Sequence, residues 1–112
     1  MWELQFYKTQ SCFCPVEEFL DSLPGKTAQK VVWVLKLIEE IDIVPTKYFK
    51  KIDGTDNLWE IRIQSGGKSI RLLGFFAKKN LLILNHAFIK KTRKTPMKHI
   101  KLAETRKRDH QK

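Results

Sequence analysis

Hydrophobic and polar residues alternate over residues 2–7, which predicts a half-buried strand. Pro15 then begins a short helix that extends to Leu23, with two acidic residues in its first turn, where the helix dipole favours them. Pro24-Gly25 ends that helix. Over residues 27–41 apolar residues recur three and four positions apart, which predicts a longer second helix with one buried stripe. Together the two helices would form a hairpin.

The second predicted helix carries more apolar residues than a single buried stripe requires. Val32 and Trp33 lie beside the stripe and widen it. We therefore expect this helix to be covered on more than one side. The stripe itself consists of Val31, Val34, Leu35, Ile38 and Ile41.

Strand-like patterns occupy the chain from residue 48 onward. Residues 58–64 and residues 69–77 flank Gly66-Gly67, which is a strong signal for a two-residue hairpin turn. Residues 81–89 form a nearly continuous apolar run, which is typical of a central strand covered on both faces.

The last part of the chain predicts a third helix. Thr95-Pro96 has the form of an N-cap followed by proline at the first helical position, and we expect residues 104–112 to fray into a basic tail. The expected fold is therefore α+β. It consists of a small antiparallel sheet with an N-terminal helical hairpin on one face and a C-terminal helix, in a single domain of residues 1–112.

Composition excludes several classes of protein. With 112 residues and a hydrophobic share of 42%, the chain can bury a core, and it is not wholly disordered. No apolar run approaches the ~18 residues of a membrane span, so no membrane contact is expected. Cys12 and Cys14 cannot form a disulfide framework or a four-ligand zinc site, and no metal or other cofactor is expected. A reducing, cytoplasmic location is the default expectation.

The positive charge of the chain is concentrated near its end. The net charge at pH 7 is +10, of which +8 lies in residues 86–112 and +2 in the first 85 residues. Phosphates bind clustered Lys and Arg with release of counterions, so this distribution predicts a polyanionic partner. The alternative is a tail whose charges only keep the protein in solution.

The Gly66-Gly67 turn sets the register of the two strands that it joins. A two-residue loop pairs Ile63 with Ile70, which brings apolar residues together on one face. On the other face the same register pairs Arg62 with Arg71. Like charges at this position, with Cβ atoms about 5 Å apart, normally destabilise a sheet.

Two interpretations explain the arginine pair. In the first, Glu60 and nearby backbone carbonyl groups neutralise the pair within a buried network. In the second, the pair is an open anion site that a phosphate fills, because a planar guanidinium suits phosphate better than an ammonium does. We favour the anion site, since the charge of the C-terminal quarter already predicts a phosphate-rich partner.

The following turn places further charged residues relative to this pair. A two-residue turn at Lys79-Asn80 pairs Arg71 with Phe88 and puts Lys90 on the face of the arginines. A three-residue turn would move His86 and Lys90 to the opposite face. A histidine at the end of an apolar strand is more often buried with hydrogen-bond partners than catalytic.

Residues 90–94 add four cations in five positions at the rim of the same sheet. A site made of cations can bind nucleic acid, or it can cleave RNA without a metal, because the ribose 2′-hydroxyl is an internal nucleophile. A lysine crowded by other cations has its charged form disfavoured, so it could accept a proton near neutral pH. These residues alone do not separate cleavage from binding.

Three stretches of the chain resemble a known family. They are DGTDNLWEIR at residues 53–62, Ile70-Arg71, and HAFIKKTRKTP at residues 86–96. They closely resemble the phage-derived HigB-like branch of the RelE/ParE toxin superfamily. The resemblance implies a small α+β toxin of a type II toxin–antitoxin system, which cleaves mRNA in the ribosomal A site without a metal. It also implies a helix-turn-helix antitoxin of the HigA type as partner. The toxin itself would not bind operator DNA and would be held there only by the antitoxin.

The resemblance also implies which residues act. Those that it implies for catalysis are Arg62, Arg71, Lys90, Lys91 and Lys94. The residues from which we expect RNA contacts are Lys50, Lys51, Lys68, Arg93 and Lys98. Glu60 and His86 are candidates for secondary roles, and His99 stands where many relatives have a glutamate. Two other classes stay open, a gyrase-inhibiting toxin of the ParE type and a non-catalytic nucleic-acid-binding module.

Overall fold

Helices and strands form where the residue pattern predicts them. The computed structural model describes residues 2–111. Pro15 lies in the first turn of its helix, where the missing N–H costs no hydrogen bond. None of the helices in this part of the chain is long and apolar enough to cross a bilayer. In chain order the elements are β1 (Glu3–Phe6), α1 (Pro15–Asp21), α2 (Gly25–Glu40), β2 (Phe49–Lys51), β3 (Trp59–Ser65), β4 (Lys68–Lys78), β5 (Leu81–Ile89) and α3 (Met97–His110).

The five strands form one sheet in the order β1-β5-β4-β3-β2. The predicted α+β class is confirmed. Four strands are antiparallel to their neighbours in the meander from β2 to β5, but β1 pairs with β5 in parallel. The sheet is therefore mixed and not wholly antiparallel as expected. The strands β1 and β5 are joined by no hairpin, so no turn dictates their relative direction.

The register of the central hairpin agrees with the register derived from its turn. Gly66 and Gly67 have φ values of 56° and 78°, in the left-handed region that a two-residue hairpin loop requires. Arg62 pairs with Arg71, and Arg71 pairs in turn with Phe88 on β5. Both predicted pairings are confirmed.

Each face of the sheet is covered by a separate apolar core. On one face α1 and α2 pack against the sheet, and on the other face α3 does. The expectation that α2 is covered on more than one side is wrong, because Val32 is 41% exposed and Trp33 is 62% exposed. The stripe that contains Val31 and Ile38 faces the sheet, whereas these two residues lie away from it.

The C-terminal helix packs on the sheet through Ala103, and residues 104–110 are helical, so they do not form the frayed tail expected of residues 104–112. Lys112 lies outside the described residues. α3 continues to His110. The Tyr7 hydroxyl donates to Asp109 Oδ2 over 2.5 Å, and Lys107 is buried with its ammonium 3.3 Å from Asp56 Oδ2. These contacts stabilise the last two turns of the helix, whose charge alone suggested a solvated tail.

Candidate functional site

One face of the sheet carries the charged side chains that strand pairing brings together. Successive side chains along a strand point to opposite faces, so Glu60 and Arg62 of β3 share a face. Arg71 lies on the same face of β4, directly across from Arg62. Lys90 follows β5 on this face, where its backbone N–H donates to the Ser69 carbonyl over 2.7 Å.

Glu60 is the centre of this charged cluster. Its side chain is buried, and Oε1 accepts a hydrogen bond from Arg62 Nε over 2.9 Å. Arg71 Nε lies 3.6 Å from the same oxygen. The other oxygen, Oε2, accepts a hydrogen bond of 2.8 Å from the Thr95 hydroxyl. One buried carboxylate therefore offsets one of the two arginine charges, which reduces the repulsion between the paired side chains.

The two arginines differ in their exposure to solvent. Arg71 is 8% exposed, and its Nη1 donates to the Ile70 carbonyl over 3.1 Å. Burial lowers the pKa of Arg71, and the charge of Arg62 lowers it further against the effect of Glu60. About a third of the Arg62 side chain is exposed, at 34%. The expectation of a fully open pair is wrong for Arg71, because the buried network with Glu60 encloses it.

Lys90 lies in the same electrostatic environment. Burial lowers the pKa of Lys90, and the neighbouring charges of Arg71 and Arg62 lower it further, while Glu60 acts in the opposite direction. The direction agrees with the expectation for a lysine crowded by cations. It increases the neutral fraction of Lys90 at any given pH.

The other predicted cations lie on both faces of the sheet, in the loop after β5 and at the start of α3. Lys50 pairs with Glu60 and lies on the site face, whereas Lys51 and Lys68 lie on the opposite face by strand alternation. Lys98 is exposed in the first turn of α3. The remaining three are exposed in the loop between β5 and α3, and they are Lys91, Arg93 and Lys94.

Thr95 has a role that its position in the sequence did not indicate. The expected N-cap is not formed, since Pro96 occupies the cap position and no side chain caps the helix. The Thr95 hydroxyl instead donates to buried Glu60, and a hydrogen bond to a carboxylate is stronger than one to a neutral acceptor. This contact joins the loop that carries Lys91 and Lys94 to the arginine pair.

A second polar group adjoins the cluster beside Phe88, the strand partner of Arg71. The His99 ring stacks on Phe88 with centroids 3.8 Å apart and planes inclined by 6°. His99 Nδ1 lies 2.8 Å from His86 Nε2, and Arg106 Nη1 lies 3.2 Å from His86 Nδ1. His99 and Arg106 are seven residues apart in α3, a helical spacing that places both on one face and could have suggested this contact.

The donor properties of arginine determine where the histidine protons lie. Arg106 can only donate, so His86 Nδ1 accepts and the proton of neutral His86 lies on Nε2. His86 then donates to His99 Nδ1, which leaves the His99 proton on Nε2. Burial, with the charges of Arg106 and His99, lowers the pKa of His86 to about 4. Burial and Lys98 lower the pKa of His99.

This burial predicts a specific loss of stability in mild acid. The pKa of His86 is about 4 in the folded protein, below its ordinary value of 6.5, so the unfolded chain binds more protons between these pH values. The free energy of unfolding should therefore fall as the pH falls from 6.5 to 4. Urea unfolding at pH 7.5, 5.5 and 4.5 should show a smaller fall for His86→Phe than for the wild-type protein.

The exposed His110 provides the matched control for this prediction. His110→Gln should keep the pH dependence of the wild-type protein. Titration followed by NMR gives a second measurement that does not depend on a variant. If the His86 ring titrates near pH 6.5 in the folded protein, the prediction is contradicted.

A cavity of about 670 Å³ lies beside the arginine pair. Both Arg62 and Arg71 contribute to its wall, and most of the remaining wall belongs to α2 and the segment that follows it. No three His, Cys, Asp or Glu side chains come together as metal ligands would among residues 2–111.

The family comparison covers most of this structure. The family model described as phage derived protein Gp49-like (DUF891) matches residues 18–108, which include the charged cluster and most of α3. The chain belongs to this family. The Gp49-like proteins are part of the RelE/Gp49 toxin family and are associated with phage-derived toxins of toxin–antitoxin systems. No curated protein matches the chain.

Family membership confirms the broader part of the resemblance described above. The chain is a member of a toxin family, and such a family implies an antitoxin as partner. The narrower assignment to the HigB-like branch stays a prediction, as do the roles of Arg62, Arg71 and the C-terminal lysines.

Proposed function

We propose that this protein is the toxin of a type II toxin–antitoxin system and that it cleaves mRNA in the ribosomal A site, in the cytoplasm. Membership of a toxin family supports the first part of the proposal. The observation that carries the second part is the grouping of Arg62, Arg71 and Lys90 around the single carboxylate of Glu60. In such a group the arginines can bind a phosphate, and the lysine can remove a proton from a hydroxyl group beside it.

Arg62 is the residue that would bind the scissile phosphate first. Its guanidinium has five N–H donors, and Glu60 accepts a hydrogen bond from Nε, so other donors can take phosphoryl oxygens. Arg71 lies across from it and adds positive charge in a poorly hydrated environment, where charge acts more strongly than in water. Both would stabilise the additional negative charge of the transition state.

Proton transfer would fall to the lysines. Neutral Lys90 takes the proton of the 2′-hydroxyl while the 2′-oxygen forms its bond to phosphorus. The P–O5′ bond then breaks with its electron pair on O5′, and the ammonium of Lys91 or Lys94 supplies the proton of the new 5′-hydroxyl. The second product is a 2′,3′-cyclic phosphate. The lowered pKa of Lys90 supports its role as the base.

The remaining cations would hold RNA and ribosome around this centre. Lys50 shares the face of the site, and Arg93 and Lys98 are exposed close to it along the chain. Lys51 and Lys68 lie on the other face, where they would contact ribosomal RNA more remotely. We assign neutralisation to a helix-turn-helix antitoxin of the HigA type, which would also provide the only contact with operator DNA.

The proposal is tested by adding the purified protein to a reconstituted translation system with an end-labelled mRNA. We expect cleavage within codons at the A site, with 2′,3′-cyclic phosphate and 5′-hydroxyl ends. The rate should be the same whether or not the purified protein was treated with a chelator and desalted before its addition. Free mRNA should be cleaved much more slowly. Intact mRNA on ribosomes would reject the proposal, and inhibition of DNA supercoiling in a parallel assay would favour a gyrase inhibitor.

A further inference from the structure

An exposed apolar surface lies on the outer side of α2 and the segment that follows it. Trp33 is 62% exposed and Tyr48 is 39% exposed. Neighbouring large apolar residues that remain in water mark contact sites for other molecules more often than isolated ones do. Trp33 and Tyr48 both line the cavity of about 670 Å³ beside the arginine pair.

The short length of β2 creates this cavity. β2 pairs with β3 from Trp59 to Ile61, and the Arg62 N–H donates to the Tyr48 carbonyl over 2.8 Å. Beyond Arg62, β3 has no strand beside it on that side. We call the resulting depression the α2 groove. It is lined by Lys30, Trp33, Val34, Leu37, Ile38, Ile41, Val44, Lys47, Tyr48, Arg62, Ile63, Gln64 and Arg71.

The lining of the α2 groove indicates the chemistry of its occupant. Five of its side chains are aliphatic residues of α2 and the following segment, which accept aliphatic or aromatic side chains. Nucleobases bind by stacking on aromatic faces, and the described lining supplies two of these, Trp33 and Tyr48, against these five aliphatic side chains. Its cations include Lys30, Lys47 and Arg62, and the described lining contains no acid. Apolar side chains accompanied by carboxylates fit this groove.

The groove is not suited to an added β-strand. The free half of β3 presents the Gln64 carbonyl at its edge, and Lys30 Nζ already donates to that oxygen. An occupant would therefore bind through its side chains, as a helix or an irregular segment does, and not through main-chain pairing.

From these features we propose that the α2 groove is the docking site for an acidic, apolar segment of the antitoxin partner. Apolar side chains of that segment fill the cavity, and a carboxylate pairs with Arg62. The segment then occupies the phosphate position, so binding and inhibition are the same event. The identity of the partner rests on the proposed function, whereas the location and chemistry of the groove do not.

The experiment uses a phage-displayed library of random 16-residue peptides, selected on the intact protein. We expect recovered peptides to combine large apolar residues with Asp or Glu. A fluorescein-labelled recovered peptide should bind Trp33→Glu and Lys47→Glu at least tenfold more weakly than wild type. Lys36→Glu changes an exposed lysine of α2 outside the groove, and its affinity should stay within twofold of wild type.

Each other outcome overturns the inference. Failure to recover any peptide, or equal affinity for the groove variants and the control, means that the groove is not this docking site. If a 12-nucleotide single-stranded RNA loses affinity for the groove variants and the peptide does not, the groove binds RNA. Failure of the proposed function is detected separately, because absence of mRNA cleavage by wild-type protein leaves the peptide measurement intact.

Discussion

Arg71→Ala should abolish growth inhibition and lower the rate of mRNA cleavage on ribosomes at least about 100-fold, which is typical for loss of one preorganised donor to transition-state charge. Arg71 is buried beside Glu60 and across from Arg62, so no neighbouring side chain can replace its charge at that position. The protein should remain folded, because Arg62 and Thr95 still donate to the buried carboxylate.

Three further variants separate catalysis from stability. Arg62→Ala should lower cleavage to a similar extent, and Arg71→Lys should recover only part of the activity, because an ammonium lacks the planar fork of donors. Arg108→Ala removes an exposed arginine on α3 and should inhibit growth like wild type. Thermal unfolding is recorded for each variant. A folded Arg71→Ala protein with full toxicity would show that the assignment of the arginine pair is wrong.

The arginine pair could be predicted because its position depends on local chemistry. The Gly66-Gly67 turn determines the pairing of β3 with β4 once its length is known, and Arg62 then faces Arg71. The prediction that Arg71 of β4 pairs with Phe88 of β5 is also correct, although this ladder is not regular. The ladder has irregularities at Leu73/Gly74 and before Lys78, and the second restores the register that the first shifts.

Features that depend on distant contacts could not be predicted in this way. The order of α3 depends on Tyr7, which is 102 residues from Asp109 in sequence, and Thr95 contacts Glu60 across 35 residues. The charge composition of residues 104–112 indicated a solvated tail. Composition contains no information about distant partners such as Tyr7, so it could not indicate that α3 is docked. The exposure of Trp33 was missed for a similar reason, since an apolar residue on a helix indicates burial without indicating what covers it.

Gly74→Ala should lower the free energy of unfolding by about 3 kcal/mol, at the upper end of the usual cost of overpacking, and Gly74→Val should prevent folding. A Cβ atom at this position would lie 2.3 Å from the Ile83 carbonyl oxygen and 2.9 Å from Leu84 Cδ2. The carbonyl belongs to the backbone of β5, an interior strand of the sheet, so it cannot move aside as the end of a flexible side chain could. Urea unfolding at pH 7.5 measures the effect.

Gly25 offers a control that separates lack of space from the general effect of adding a methyl group. A Cβ at Gly25 meets nothing within 4 Å, so Gly25→Ala at the start of α2 should change stability little or raise it by about 0.5 kcal/mol. Gly74 pairs with Trp59 of β3 on one side. On its other side, the β4–β5 ladder has an irregularity between Leu73 and Gly74, next to the part of the ladder that contains Arg71. A close approach of β4 and β5 at Gly74 therefore helps to hold the register that places Arg71 against Phe88. Equal stability of Gly74→Ala and Gly25→Ala would contradict this account.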